Sequence, residues 1–430
     1  MKFLLDESSF IDYIIDRPLG LCKGGIMMET EVKLSRNRTF ILMFIAGVFA
    51  VVGFSMFLTT VSWYAVTEMD SAAAVGLVLM AATIPRLLMM VFGGVLADKY
   101  KKTTIMFITN LTQGFLLLLL YLFVASDNLT LTILLVLAGI FGMLDAFFGP
   151  ASSSLIPKIV AKSQLQRANA VFQGADQISF IIGPILAGVL MEAYSVAGSF
   201  LVATILVFFS AIFIFPPLIK EAAVEERTQQ SPMQDLKDGL QYVRRSQFLL
   251  VGLLVLITLN FFVFGALHIA IPLLVDVHGG SPLNLSFMEA SLGIGMLLGS
   301  MILGVYTIKR RRGAMTLYGL LAALVLFIIF SLIPNLTGLT ILIFFIGFSM
   351  VFVYIPFFTV AQENTDQHIM GRVMSIIFLA MNGFDPVSYG IVTGMVAFEI
   401  PIQLVLFGLG VVGLVIWFFI FFKAKQFREV

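Results

Sequence analysis

Charge is scarce in this chain. Asp, Glu, Lys and Arg make up 12% of 430 residues, while 60% are hydrophobic. A soluble domain of this length could not solvate so apolar a surface. Cysteine is almost absent: the single Cys22 excludes an intrachain disulfide. Three scattered histidines and that one cysteine give no spacing suited to a dedicated metal site. No glycine-rich phosphate loop followed by lysine occurs, so ATP is not expected as the direct fuel. No nucleophile–base constellation stands out either, so neither enzymatic activity nor a cofactor is expected. The segments of alternating hydrophobicity that mark a β-barrel are missing. The formal net charge of +1 identifies no partner, and nucleic acid is not expected as one. The first apolar patch, residues 10–15, is short and interrupted by Asp12, with Asp16 directly after it, so a cleavable signal peptide is not expected.

What the chain has is apolar length. Its mean hydropathy is +1.03, and long apolar runs alternate with short polar loops. Runs of about 20 apolar residues match the hydrocarbon thickness of a bilayer. They must be helical, because lipid offers no partner to backbone polar groups. The pattern predicts an all-α integral membrane protein with twelve transmembrane helices: α1 over 39–66, α2 over 72–97, α3 over 104–125, α4 over 131–149, α5 over 165–193 and α6 over 196–218. After a polar stretch come α7 over 248–274, α8 over 285–307, α9 over 314–333, α10 over 339–360, α11 over 373–398 and α12 over 401–422. With both ends on the cytosolic side, every Lys and Arg except Arg86 falls in a cytosolic segment or, as with Arg167, in the first turn of a span at that side, and none in an outward loop. Positive charge is held back on the cytosolic side during insertion, so this sorting predicts orientation and supports the count of twelve. The expected organisation is a cytosolic N-terminal segment (1–38), a six-helix half (39–218), a cytosolic linker (219–247), a second six-helix half (248–422) and a cytosolic tail (423–430). The cytoplasmic (inner) membrane is the expected location.

Weak internal repetition supports the two halves. Pro184-Ile-Leu-Ala-Gly188 in α5 is matched by Pro386-Val-Ser-Tyr-Gly390 in α11. The α2–α3 loop carries Lys99, Lys101 and Lys102, and the α8–α9 loop carries Lys309 to Arg312. The α2–α3 junction reads Gly94-Val-Leu-Ala-Asp98-Lys99-Tyr-Lys-Lys102, which resembles the G-x-L-A-D-R/K signature of the major facilitator superfamily. Glycine lets α2 approach a neighbour closely, and the acid at the helix end can meet a helix N-terminus or a basic partner. The resemblance implies a gating latch at Gly94, Asp98, Lys99 and Lys102. Lys101 stands where many members have glycine. That departure is similar to the drug-exporter branch of macrolide-efflux and siderophore-export proteins, as are Pro150 through Gly183-Pro184 and the stretch Gln362 to Ser375. Gly183, Pro184 and Gly188 also resemble the glycine–proline motif of antiporters in this superfamily, where proline removes a backbone donor and kinks the helix. Ordinary helix packing explains the same residues equally well. The arginine that many proton-coupled exporters carry within the fourth span is absent.

Four ionisable residues stand out inside spans, where each needs a partner or an aqueous cavity: Arg86 in α2, Asp145 in α4, Asp176 in α5 and Asp385 in α11. At ~1.5 Å per residue the first three lie near or somewhat below the midplane. The expectation is that Arg86 pairs with Asp145 or Asp176 and that one acid exchanges protons; a static salt bridge that orients helices is the competing reading. Asp385 precedes Pro386 and is expected to satisfy backbone left open by that proline or to serve in coupling. Glu68 and Glu289, near the outer ends of α1 and α8, read as acids solvated near the surface, with attraction of cationic substrate or protons as the alternative, and His268 reads as a packed polar residue rather than a proton shuttle. Trp63, Tyr64, Asn260, Phe261 and Phe262 are candidates to line the substrate cavity, because α1 and α7 line the pathway in this superfamily.

The leading functional expectation is a secondary active, monomeric exporter of amphipathic small molecules, with protons as the coupling ion and the lipid bilayer as its surroundings. The alternatives are an exporter or flippase of one dedicated amphiphile, such as a lysophospholipid or siderophore, and a non-transporting membrane sensor or assembly partner.

Overall fold

A computed structural model describes residues 34–69, 72–161, 164–219, 232–306, 310–366 and 369–429. Among them, twelve helices are long and apolar enough to cross a membrane. They are α1 Arg38–Thr67, α2 Ala72–Lys99, α3 Lys102–Ala125, α4 Leu131–Ile159, α5 Leu165–Ala193 and α6 Val196–Phe213. The second six are α7 Gln247–Val277, α8 Pro282–Val305, α9 Arg312–Leu332, α10 Leu336–Glu363, α11 Met370–Ala397 and α12 Ile402–Lys423.

Polar caps set several of the starts. The side chains of Asn37, Thr130, Ser195, Ser246 and Asn335 accept hydrogen bonds from first-turn amides of α1, α4, α6, α7 and α10. Those amides have no partner within the helix. Asn37 also donates to the Ile159 carbonyl at 2.7 Å, which ties the start of α1 to the end of α4.

Four local features depart from the sequence expectation. The α6 helix stops at Phe213, five residues early, because Pro216 and Pro217 divert the chain into a short 3-10 turn. The α4 helix runs ten residues past Gly149, to Ile159. Within α7 the residues Asn260–Phe264 form a π-turn. The α11 helix is not continuous: Met370–Asn382 and Asp385–Ala397 are separate helices that meet at Gly383 and Phe384. The linker between the halves also holds an amphipathic helix, Pro232–Arg245. It docks on the start of α11 through an Arg372–Asp238 salt bridge of 3.1 Å.

The packing repeats between halves. The α2 helix lies on α4, and α3 on α4 and α6; in the second half α8 lies on α10, and α9 on α10 and α12. The halves meet through two equivalent pairs, α5 with α8 and α11 with α2. Small residues make these approaches possible. A Cβ on Gly188 of α5 would collide with Ser286 Oγ of α8, and one on Gly76 of α2 would collide with Thr393 Oγ1 of α11. Ser286 donates to the Pro184 carbonyl across the same seam at 2.6 Å. All these contacts lie toward the end of the bundle away from the basic residues.

Overpacking a tight contact costs about 1–3 kcal/mol. Gly188→Val is therefore expected to lower the melting temperature of the purified protein in detergent. Gly174→Ala on the same helix, where a Cβ meets nothing within 4 Å, is expected to leave it unchanged. Equal melting temperatures for both variants would remove the seam from this account.

Candidate functional site

The site begins with a close helix contact. Gly142 of α4 lies against the Ala82 carbonyl of α2, so near that no Cβ could fit between them. One turn further along each helix stand Asp145 and Arg86. The tight approach brings Arg86 Nε to 2.9 Å from Asp145 Oδ2. The Arg86 guanidinium also lies 5.3 Å from the centre of the Phe54 ring on α1. That ring stacks on Phe141 and meets Phe180 edge-on. Arg86 is thus fixed from two sides, by a carboxylate and by the face of an aromatic ring.

The pair faces a cavity of about 340 Å³ that, among the described residues, is lined by α1 to α5. The cavity runs from Phe54 and Phe180, near the middle of the bundle, to Ile156 and Asn169 toward the basic end. Its volume falls within the range of small-molecule sites, roughly 300–1,000 Å³. Asp176 of α5 lines the same cavity and has no ion-pair partner among the described residues. The wall is mixed. Phe148, Phe172, Phe180 and Met90 give apolar surface, while Asn110, Gln113, Asn169 and Gln173 give amides. Asn110 donates to Ser210 Oγ at 2.7 Å, and Ser210 donates to the Ala46 carbonyl at 2.6 Å. The remaining amide oxygen of Asn110 is buried and has no hydrogen-bond partner.

The sequence expectation does not include these amides, although a signal for them exists. Asn169, Gln173, Asp176 and Phe180 recur at i, i+4, i+7 and i+11, which is one face of a helix. A polar stripe on an otherwise apolar span needs an aqueous surface. Ser152, Ser153 and Ile156, on the extension of α4, line the same cavity.

Other predicted residues lie elsewhere. Trp63 and Tyr64 do not line this cavity. They sit near the far end of α1, where Trp63 is buried in the apolar core and Tyr64 packs partly against it. Asn260, Phe261 and Phe262 also lie outside it, in the π-turn of α7. Asn260 is buried and accepts a hydrogen bond from the Tyr354 hydroxyl at 2.9 Å. The Phe261 carbonyl accepts from Ser388 of α11 at 2.7 Å, and Phe262 packs edge-on to Phe261.

Asp385 opens the second piece of α11. It is 6% exposed, and its Oδ1 has no hydrogen-bond partner. It lies within electrostatic range of Arg86 across the two halves. Gly183 and Gly188 serve packing: Gly183 lies against Ser55 of α1 and Gly188 against Ser286 of α8, while α5 stays helical through Pro184. Of the gating motif, the backbone through Gly94, Asp98 and Lys99 ends α2, and their side chains lie outside the described residues. Lys102 begins α3 and is buried.

The comparisons with known proteins agree with this architecture. Residues 43–384 match the Major Facilitator Superfamily profile, and the chain belongs to that family. It is 29% identical over 316 residues to the uncharacterised MFS-type transporter YfiS of Bacillus subtilis strain 168, covering 70% of this chain and 73% of the relative. It is 23% identical over 298 residues to macrolide efflux protein A of Enterococcus faecalis, covering 66% and 90%. Enterobactin exporter EntS of Escherichia coli O1:K1 is 24% identical over 349 residues, covering 78% and 80%. Such relatives match the exporter branch that the motifs resemble, and the family consists of transporters rather than enzymes. In fold, the chain superposes on the nucleoside transporter NupG with a TM-score of 0.70 at 15% identity, covering 90% and 99%. The POT family transporter PepTSo gives 0.71 at 11% identity, covering 91% and 98%.

Residues in direct contact couple by about 0.5–3 kcal/mol in a double-mutant cycle, and separated ones by less than about 0.5 kcal/mol. Arg86→Ala and Asp145→Ala are expected to show coupling of the first size in unfolding measurements. The value should sit toward its lower end, because Arg86 is 41% exposed. Arg86→Ala with Asp176→Ala is expected to be close to additive. Equal coupling to both acids would mean that Arg86 is shared between them.

Proposed function

We propose that this protein is a secondary active exporter of amphipathic, drug-like small molecules, driven by proton antiport and alternating access of its two halves. The observation that carries the reading is the Arg86–Asp145 ion pair, with Asp176 beside it, on the wall of a cavity otherwise rich in Phe, Met and amide groups. Such a wall suits ligands that are apolar over most of their surface and polar at one end. Soft and aromatic side chains tolerate variety in the ligand. The macrolide and enterobactin exporters among the relatives support the outward direction.

The positive-inside rule assigns the basic end to the cytosol, with both termini there and the protein in the inner membrane. On that orientation the contacts between the halves lie at the outer end and the cavity extends toward the cytosolic end, which suits loading a substrate for export. A proton taken up by Asp145 removes the negative charge that holds Arg86, and one taken up by Asp176 removes a charge from the same cavity wall; either changes the balance between inward and outward states. Asp385, in the opposite half and without a hydrogen-bond partner on one oxygen, competes for Arg86 as the halves rock. The turn from Gly94 to Lys102 is where a latch at the cytosolic end would act.

Purified protein in liposomes with an imposed pH gradient and a fluorescent amphipathic cation tests the reading. Wild type is expected to accumulate the cation only with the gradient. Asp145→Ala or Asp176→Ala is expected to abolish uphill accumulation while sparing downhill exchange. No gradient-dependent accumulation by folded wild type would overturn proton-driven export of this substrate class. Wild-type uphill rates in both variants would make the acids structural.

A further inference from the structure

From sequence, Glu289 of α8 reads as an acid solvated near the membrane surface. In the structure it faces the other half of the molecule. Its Oε2 lies 2.6 Å from Thr59 Oγ1 of α1, and Thr59 Oγ1 also lies 3.2 Å from the carbonyl of Ser55. A threonine hydroxyl has a single proton to donate. If Glu289 is ionised, the hydroxyl can serve only one of these two acceptors well. The carboxylate would then stand at a helix interface with one hydrogen bond and, among the described residues, no cation against it. An unpaired charge in such a setting is costly. If Glu289 carries a proton, its own O–H donates to Thr59 Oγ1 and Thr59 donates to Ser55, so both contacts are made at once and no charge stands at the interface.

The surroundings make this chain consequential. It crosses the seam between the halves, on the same helix and within one turn of the Ser286–Pro184 bond and the Gly188 contact. Those two contacts contain no titratable group, so among the described residues Glu289 is the ionisable group in these contacts of α8 with α1 and α5. On the helices packed against α8 and their caps, the titratable groups toward this end are Tyr64 and Glu68 of α1, Glu192 on α5, and His268, Asp276 and His278 of α7. The titratable groups of α10, Tyr354 and Glu363, lie deeper and at the basic end. Glu289 has its hydrogen bond with Thr59, and no salt bridge joins it to any of these groups among the described residues.

We propose that Glu289 is a proton-binding site and that its protonated carboxyl, through Thr59, latches the two halves together at the end away from the basic residues. The sign follows from linkage: the state that binds the proton more tightly gains population as pH falls. The latched state therefore dominates at low pH and gives way as pH rises and Glu289 ionises. The latch is independent of the coupling role proposed for Arg86 and Asp145, which line the cavity among α1 to α5.

The test places a pair of spin labels at Tyr194→Cys and Phe398→Cys in a Cys22→Ser background, and measures the distance between the halves in lipid across a pH series. Both label positions are exposed at the latched end. The parent is expected to shift from short to long distances as pH rises. Glu289→Gln keeps a donor and removes the titration, and is expected to stay short at every pH. Thr59→Val is expected to lengthen the distance at low pH, and Thr59→Ser to restore it. The response is expected to survive in Asp145→Asn, which separates it from the coupling reading. A parental pH response in Glu289→Gln, or long distances at every pH in that variant, would overturn the proposal.

Discussion

Inside a bilayer a polar group cannot fall back on solvent, and that constraint organises the whole of this molecule. The backbone answers it by forming helices. Most hydroxyls answer it locally: Thr109, Thr258, Ser300, Thr340, Ser349 and Thr359 each donate to the carbonyl four residues earlier. Such bonds carry no information about which helix lies next to which. The informative bonds are the exceptions that cross between helices. Thr60 meets Ser199, Asn110 reaches Ser210, Ser286 reaches Pro184, Ser388 reaches Phe261, and Tyr354 reaches Asn260. Each fixes a rotation of one helix against another that apolar packing alone would leave loose.

The same constraint separates scaffold from site. Ionisable groups are tolerated in two settings. Arg86, Asp145 and Asp176 border a cavity that can hold water, and Asp145 has the guanidinium beside it. Glu289 lies on a seam between halves and, among the described residues, is hydrogen-bonded to the Thr59 hydroxyl with no cation against it. The first setting suits a group that exchanges partners during a cycle. The second suits a group whose protonation decides whether two surfaces stay together. Asp385 stands between these cases, buried at a break in α11 with one oxygen lacking a hydrogen-bond partner among the described residues.

Much of the fold is legible in the chain alone. The twelve spans depend on apolar run length, and the α2–α3 junction and the repeated Pro-to-Gly segments point to a duplicated transporter. The candidate site is legible in part. An arginine and two aspartates inside one half have few ways to be stabilised other than by one another or by water, so their grouping follows from cost alone. The aromatic candidates fare differently. Trp63 and Tyr64 lie on a helix that contributes Gly47, Ala50, Val51 and Phe54 to the cavity, yet they are beyond its reach along α1. When every face of a helix is apolar, its sequence pattern cannot separate an aromatic that faces a cavity from one packed in the core. The amide stripe of α5 is readable for the opposite reason, because amides on an apolar helix contrast with their background.

The sequence by itself determined the number of spans, the sorting of basic residues to one end and the family resemblance. These follow from transfer free energies that are local and additive along the chain, so no knowledge of neighbours is needed. Only the tertiary structure decided that Arg86 pairs with Asp145, that α11 breaks ahead of Asp385, that the linker forms a helix seated on α11, and that Glu289 meets Thr59 across 230 residues of sequence. Those outcomes depend on the rotation and depth of one helix against another. Both are set by where glycines let backbones approach and where a single hydroxyl or carboxyl finds its partner.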